Sequence, residues 1–196
     1  MNDVIKFEDW KPEVYRVPIE KYAEVTEDAI LTNKYGIYIS YGEGIHVYHG
    51  NQPIDYDLCE ELDVRVVELK YAGGNIVGSA DDLSIIIVFP ESMGMSHPVI
   101  IEKFVDIIGK YVPNTTIDGN DILVNGEKVS GSMTRTICGS FVWAAQVSFA
   151  DYSEYIAQIC NKPPVKKPTY IDSNLLTRDK LEEEILVWLQ KKEVAK

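Results

Sequence analysis

Chemistry in this chain would start at one lysine. Asn120-Asp121-Ile122-Leu123-Val124-Asn125-Gly126-Glu127-Lys128-Val129-Ser130-Gly131-Ser132 sets Asn-Gly between two arms of alternating apolar residues. That is the strongest short-range signal for a two-residue hairpin turn, because both central residues need positive φ. The turn predicts a register in which Val124 faces Glu127, Leu123 faces Lys128, Ile122 faces Val129 and Asp121 faces Ser130. Side chains alternate along a strand, so Ile122, Val124 and Val129 are expected on a core face and Asp121, Leu123, Lys128 and Ser130 on the other. Gly131 follows, where a ligand or another backbone can come close. An ammonium beside a carboxylate and small residues suits the bridging of two anions, such as a carboxylate and a phosphate. The same residues also read as the solvated tip of a hairpin, and the pattern leaves both readings open.

Other candidates are weaker. Gly73-Gly74 lets main-chain N–H groups approach an anion, although such a pair is usually just a turn. His46-x-x-His49 has a metal-like count, but on a strand the two side chains point to opposite faces, and no Cys or further His completes a shell. His97 stands at a helix start and is expected to be exposed. Cys160 follows a helix and precedes Asn161-Lys162-Pro163, a basic setting that favours a thiolate, and Cys138 has Arg135 nearby. Either is a candidate nucleophile, with a packed thiol as the alternative.

These residues need a scaffold. Gly36 to Tyr41 and Ile45 to Tyr48 are β-prone around Gly42-Glu43-Gly44, which predicts a second hairpin. Asp55 to Glu61 reads as a short helix and Val64 to Lys70 as a strand. Leu83 to Phe89 is apolar throughout, as in a strand buried on both faces. Ser96 and Pro98 open a helix whose Ile100, Ile101, Phe104, Val105, Ile108 and Val112 recur at helical spacing. Phe141 to Phe149 reads as a strand, Tyr152 to Ile159 as a helix, and Thr177 to Lys191 as a last helix. The order predicts an α+β fold, with a mixed, largely antiparallel sheet and helices packed outside.

Composition narrows the function classes. The 196 residues suit one domain, 1–196, with a core that needs no staples. Three cysteines without framework spacing argue against disulfides and for a reducing, cytoplasmic setting. The N-terminus lacks the layout of a signal peptide, and Ile85 to Phe89 is too short to span a bilayer, so no membrane role is expected. A formal charge of −12 argues against nucleic acid as partner. The one basic cluster, Lys162, Lys166 and Lys167 among Pro163, Pro164 and Pro168, reads as an extended surface linker, or second as a docking patch.

Gly73-Gly74-Asn75 and Asn120 through Ser132 together resemble the catalytic domain of lipoate-protein ligases, which share a fold with biotin protein ligases and octanoyltransferases. Asn120-Asp121-Ile122 followed by Gly126-x-Lys128-Val129-Ser130-Gly131 looks like the family's Asn-Asp segment and its Gly-x-Lys-x-Ser-Gly, in which the lysine is catalytic. The order of elements is similar from about Gly36 to Asp151. The chain departs at the glycine loop, where the family has Arg-Arg-x-x-Gly-Gly-Gly and then His-Asp. Here stand Leu69-Lys70-Tyr71-Ala72-Gly73-Gly74-Asn75 and Ser79-Ala80. Lys70 is the one surviving cation, and lysine lacks the planar fork of arginine.

The resemblance implies a biotin/lipoate protein ligase-like fold without the C-terminal accessory domain. It also implies ATP and Mg²⁺ as cofactors, a small-molecule acid such as lipoate, and a lipoyl-type carrier domain as acceptor. Lys128 and Asp121 would be catalytic, with Asp121 holding Mg²⁺. Lys70, Gly73, Gly74, Asn75, Asn120, Ser130 and Gly131 would bind the cofactor. Two alternatives remain: an ATP-independent octanoyltransferase using Cys160 or Cys138 as nucleophile, and a non-catalytic binding protein on the same fold.

Overall fold

The computed structural model describes residues 6–70, 74–160 and 164–191. Its centre is a seven-stranded sheet in the order β1-β2-β6-β10-β9-β8-β7. The strands are β1 (Glu13–Pro18), β2 (Gly36–Tyr41), β6 (Leu83–Pro90), β7 (Thr115–Asp118), β8 (Asp121–Val124), β9 (Glu127–Ile137) and β10 (Ser140–Val147). Only β1 and β2 pair in parallel within it; the other pairs are antiparallel. A smaller sheet, β4-β3-β5, is built from β3 (Ile45–His49), β4 (Arg65–Glu68) and β5 (Ile76–Ser79). The helices are α1 (Ile19–Leu31), α2 (Tyr56–Glu61), α3 (His97–Gly109), α4 (Ser153–Ile159) and α5 (Arg178–Gln190). The α+β class expected from the sequence is what forms.

β6 is buried along its whole length, as a continuous apolar run requires. Leu83, Ile85, Ile87 and Phe89 join the core under α3 and α5, while Ile86 and Val88 join the core with α1 and the small sheet. On the first side the Phe104 and Trp143 rings lie 4.5 Å apart. Each fully buried side chain of this size contributes roughly 1.5–3 kcal/mol. A third cluster fills the space between the small sheet, α2 and α4. The layers are therefore helices, large sheet, small sheet with α1, and helices again.

One expectation needs correction. β2 and β3 form no hairpin with each other: β2 lies between β1 and β6, and β3 between β4 and β5. The connection instead passes close over the start of α1, where a Cβ on Gly42 would stand 2.6 Å from Ile19 Cγ2. Both strands are almost wholly buried, so each is claimed by a different sheet. β1 and α1 carry no expectation above. The α1 stripe includes Thr26 and Ala29 among larger apolar residues, which blurs its periodicity. Elsewhere the boundaries move by a residue or two. Asp55 caps α2 by accepting from the Leu58 N–H, and Thr177 caps α5 through Lys180. Ser96 occupies the N-cap of α3 without a side-chain hydrogen bond.

Candidate active site

The Asn125-Gly126 turn forms as predicted, with φ of 52° and 83°. Leu123 pairs with Lys128 and Val124 with Glu127. Beyond them the register shifts: Ile122 pairs with Ser130, and Asp121 with Gly131. Val129 is thus the extra residue of a β-bulge. The bulge alters the face assignment made from alternation alone. Ser130 leaves the face of Lys128 and turns, with its cross-strand partners Ile122 and Val147, toward α3. There its hydroxyl is buried with no hydrogen-bond partner among the described residues. Gly131 takes its place opposite Asp121, and the missing side chain matters. A Cβ there would stand 3.1 Å from Lys128 Nζ and 3.2 Å from Lys128 Cε. Lys128 therefore lies across the glycine and reaches Asp121 Oδ1 at 2.8 Å.

Asp121 holds a second cation. Lys166 Nζ lies 2.7 Å from Asp121 Oδ2 and 2.9 Å from Asp118 Oδ2. Burial by itself would push the Asp121 carboxyl up, but hydrogen bonds from Lys128 and Lys166 outweigh it and hold the carboxyl below its ordinary value. The hydrogen bond to Asp121 in turn raises the Lys166 ammonium. Lys166 arrives on the segment that the sequence marks as a surface linker. That segment is instead stitched to the hairpin: the Lys128 N–H donates to Lys167 O at 2.9 Å, and the Thr169 N–H donates to Lys128 O at 2.8 Å. Lysine-proline composition carries no sign of such pairing, so Lys166 was not legible as a site residue.

Lys128, Gly131, Lys166, Asn75, Gln146 and Thr169 are among the residues lining a cavity of about 120 Å³. A second chamber of about 40 Å³ is lined among others by Tyr22, Tyr48, Leu69 and Met133. Ile76 and Gln146 belong to both walls. Gln146 is fixed between them, donating to Val77 O at 2.9 Å and to Asp82 Oδ2 at 3.0 Å. Its carbonyl accepts from Ser84 Oγ at 3.3 Å. Asp82 also accepts from the N–H groups of Ser79 and Phe149. Burial pushes its carboxyl up to about 7 against those bonds. Gln146 and Asp82 were missed in the sequence, because a polar residue in a strand shows its role only when a second sheet packs on it.

The remaining sequence candidates are spread. Asn75 lines the cavity, accepts from the Gly50 N–H and donates to Gln52 O. Gly74 sits beside the Gln52 side chain, and Gly73 lies outside the described residues. Lys70 points away and pairs with Glu27 on α1 at 2.8 Å. Asn120 contributes its carbonyl, which accepts from the Ser132 N–H and hydroxyl at 2.8 Å. His97 Nε2, 2.8 Å from that hydroxyl, is half-buried rather than exposed. Cys160 packs in the cluster under the small sheet, where burial pushes its thiol up, the opposite of an activated thiolate. Cys138 sits exposed in the β9–β10 turn with φ 51°. Neither thiol lines the cavity of Lys128.

With Lys128 and Lys166 in place, the donor set does not fit a protein-held divalent cation. Among the described residues no group of three or more His, Cys, Asp or Glu stands together, and both oxygens of Asp121 already hold ammonium groups. Lys128 has Asp121 alone as ion-pair partner among the described residues. Among the described residues, no helix is long and apolar enough to cross a membrane.

The mixed, largely antiparallel sheet with a small second sheet matches the fold of solved lipoate- and biotin-protein ligases. Over 93% of its length the chain superposes on P. falciparum LipL1 in complex with lipoate, with a TM-score of 0.75 and 13% identity, and it spans 63% of that chain. Over 91% it matches the bipartite lipoate protein ligase of Thermoplasma acidophilum, studied with its E2 lipoyl domain, with a TM-score of 0.71, 13% identity and 82% of that chain covered. A lipoate-protein ligase A bound with ATP gives a TM-score of 0.67 at 14% identity, with 92% of this chain and 84% of that one covered. Biotin protein ligases match less well, as in Leishmania major at a TM-score of 0.57. No family model and no curated protein matches the sequence. The chain is a divergent example of this fold.

Proposed function

We propose that the chain activates a small carboxylic acid at Lys128 and passes the acyl group to a lysine of a carrier domain, as a lipoate-protein ligase-like enzyme. One observation carries this reading: Lys128 lies over Gly131 into a cavity with a second cation, Lys166, at its rim. The acid carboxylate would attack the α-phosphate of ATP, forming the acyl-phosphate bond as pyrophosphate leaves. Lys128 would neutralise the approaching anions and the charge that develops on the phosphate, an electrostatic role that commonly dominates catalysis. The acceptor amine would then attack the acyl carbon, release AMP and lose a proton to give the amide. The ATP- and lipoate-bound neighbours support this choice of ligands. The cavity of about 120 Å³ is below the ~300–1,000 Å³ of small-molecule sites. Binding a whole acyl-adenylate therefore requires the cavity to widen.

The test is ATP-dependent transfer of lipoate to a lipoyl domain, alongside calorimetric titration with a nonhydrolysable lipoyl-AMP analogue. Turnover that disappears with Lys128→Ala supports the reading; absence of both binding and turnover ends it. The small cavity and the diversion of Lys70 to Glu27 favour a second reading, a binding protein without turnover. It predicts analogue or carrier binding with no acyl transfer.

A further inference from the structure

Lys166 Nζ is surrounded by three oxygens: Asp121 Oδ2 at 2.7 Å, Asp118 Oδ2 at 2.9 Å and the Asp118 carbonyl at 2.8 Å. An ammonium has three N–H donors, so these oxygens use its whole capacity. It is not a loose surface ion pair, since the Lys166 side chain is only 25% exposed and its segment is paired to the backbone of Lys128 on both sides. Two carboxylates and a carbonyl around one positive charge are also what a hard divalent cation would want. Mg²⁺ would need such oxygens at ~2.0–2.1 Å in near-octahedral array, and the ammonium already stands among them.

We infer that Lys166 is a tethered cation that fills the place of a metal ion between Asp118 and Asp121, so that Lys128 meets its anionic ligand with no metal at Asp121. The charge balance gives the reason. Without Lys166, Lys128 would stand with Asp121 and Asp118 in a group of net charge −1, which repels an anion. Lys166 takes up the other oxygen of Asp121 together with Asp118 and brings the four groups to neutrality, as a bound cation would. Lys166 is thus a positioning residue, acting on the ligand through Asp121 and Lys128. The inference rests on the proposed function only for the identity of that ligand.

The test uses Mn²⁺ alone as probe, followed by its electron paramagnetic resonance signal on the full chain. Wild type, Asp121→Asn and Lys166→Arg are expected to bind Mn²⁺ within twofold of one another. Lys166→Ala is expected to gain a site at least tenfold tighter, lost again when Asp121→Asn is added. Tenfold tighter binding by wild type than by Asp121→Asn would overturn the inference. So would a Lys166→Ala protein, folded by circular dichroism, that gains no site. Should that variant not fold, the comparison of wild type with Asp121→Asn decides by itself. No acid or ATP enters this titration, so its failure is distinct from failure in the acyl-transfer assay.

Discussion

The resemblance to ligases groups two lysines in one site, and the fold separates them. Lys128 rides on a hairpin whose turn, bulge and facing glycine all fix where its ammonium goes. Lys70 lies just past the end of β4, where nothing in the sheet constrains it, and it pairs with Glu27 of α1 instead. A side chain is placed by the register of its strand; one at a strand end is placed by whichever charge lies within reach. The difference teaches that the hairpin half of the motif carries position as well as residue type, whereas the glycine-loop half carries type alone.

The comparison can be broken most easily at the lysines themselves. Lys128→Ala should lower acyl transfer by about 10²–10³-fold, the usual cost of removing one preorganised charge-stabilising donor, while Lys70→Ala should change it less than about twofold. Equal losses in the same assay would mean that Lys70 swings back into the site. The small sheet is held to the large one by a tight contact at Gly78, whose Cβ would stand 2.1 Å from Gln146 Nε2 and 2.7 Å from Asp82 Oδ2. Gly78→Ala should therefore destabilise the chain by about 3 kcal/mol in urea unfolding, within the range for an overpacked core. Gly131→Ala crowds the flexible end of Lys128 and touches Asp121 Oδ1 at an ordinary 3.6 Å. It should reduce transfer about tenfold, roughly 1.4 kcal/mol, with the unfolding midpoint almost unmoved.

A pH effect sharpens the contrast from the small-sheet side. Burial, with Arg65 nearby, lowers His46 to about 4. The unfolded chain takes up the proton below about 6.5 and the folded chain only near 4, so stability falls as pH drops through that window. Asp82 works the other way: its carboxyl stays protonated in the folded state up to about 7, so its contribution declines as pH rises from about 4 to 7. His46→Phe should remove the acid-side loss and gain on the order of 2 kcal/mol at pH 5 relative to its effect at pH 7. Chemical denaturation at the two values checks it. An identical gain at both would show that His46 is accessible to protons in the fold.

Much of the hairpin was readable because its cues are local. Asn125-Gly126 dictated the turn, and the apolar run at Leu83 to Phe89 dictated a central strand, since turn dihedrals and two-sided burial need no information from elsewhere. The bulge at Val129 escaped, because alternation assumes one residue per pleat and the extra residue shows only when the partner strand is in place. The β2–β3 hairpin was misread for a related reason: β-prone arms around glycines do not say which sheet each arm joins.

Residue identity thus settled that a lysine would stand near a carboxylate at a tight turn, with a glycine close by. Only the packed chain decided that the Ser130 side chain would take the other face while the residue still lines the cavity, that Lys70 would pair with Glu27, and that Lys166 would come from 38 residues beyond Lys128 to share Asp121. Turn chemistry acts over a few bonds and is written in the residues themselves. The meeting of distant charges depends on how sheets stack and where a returning strand runs, and no local pattern encodes that.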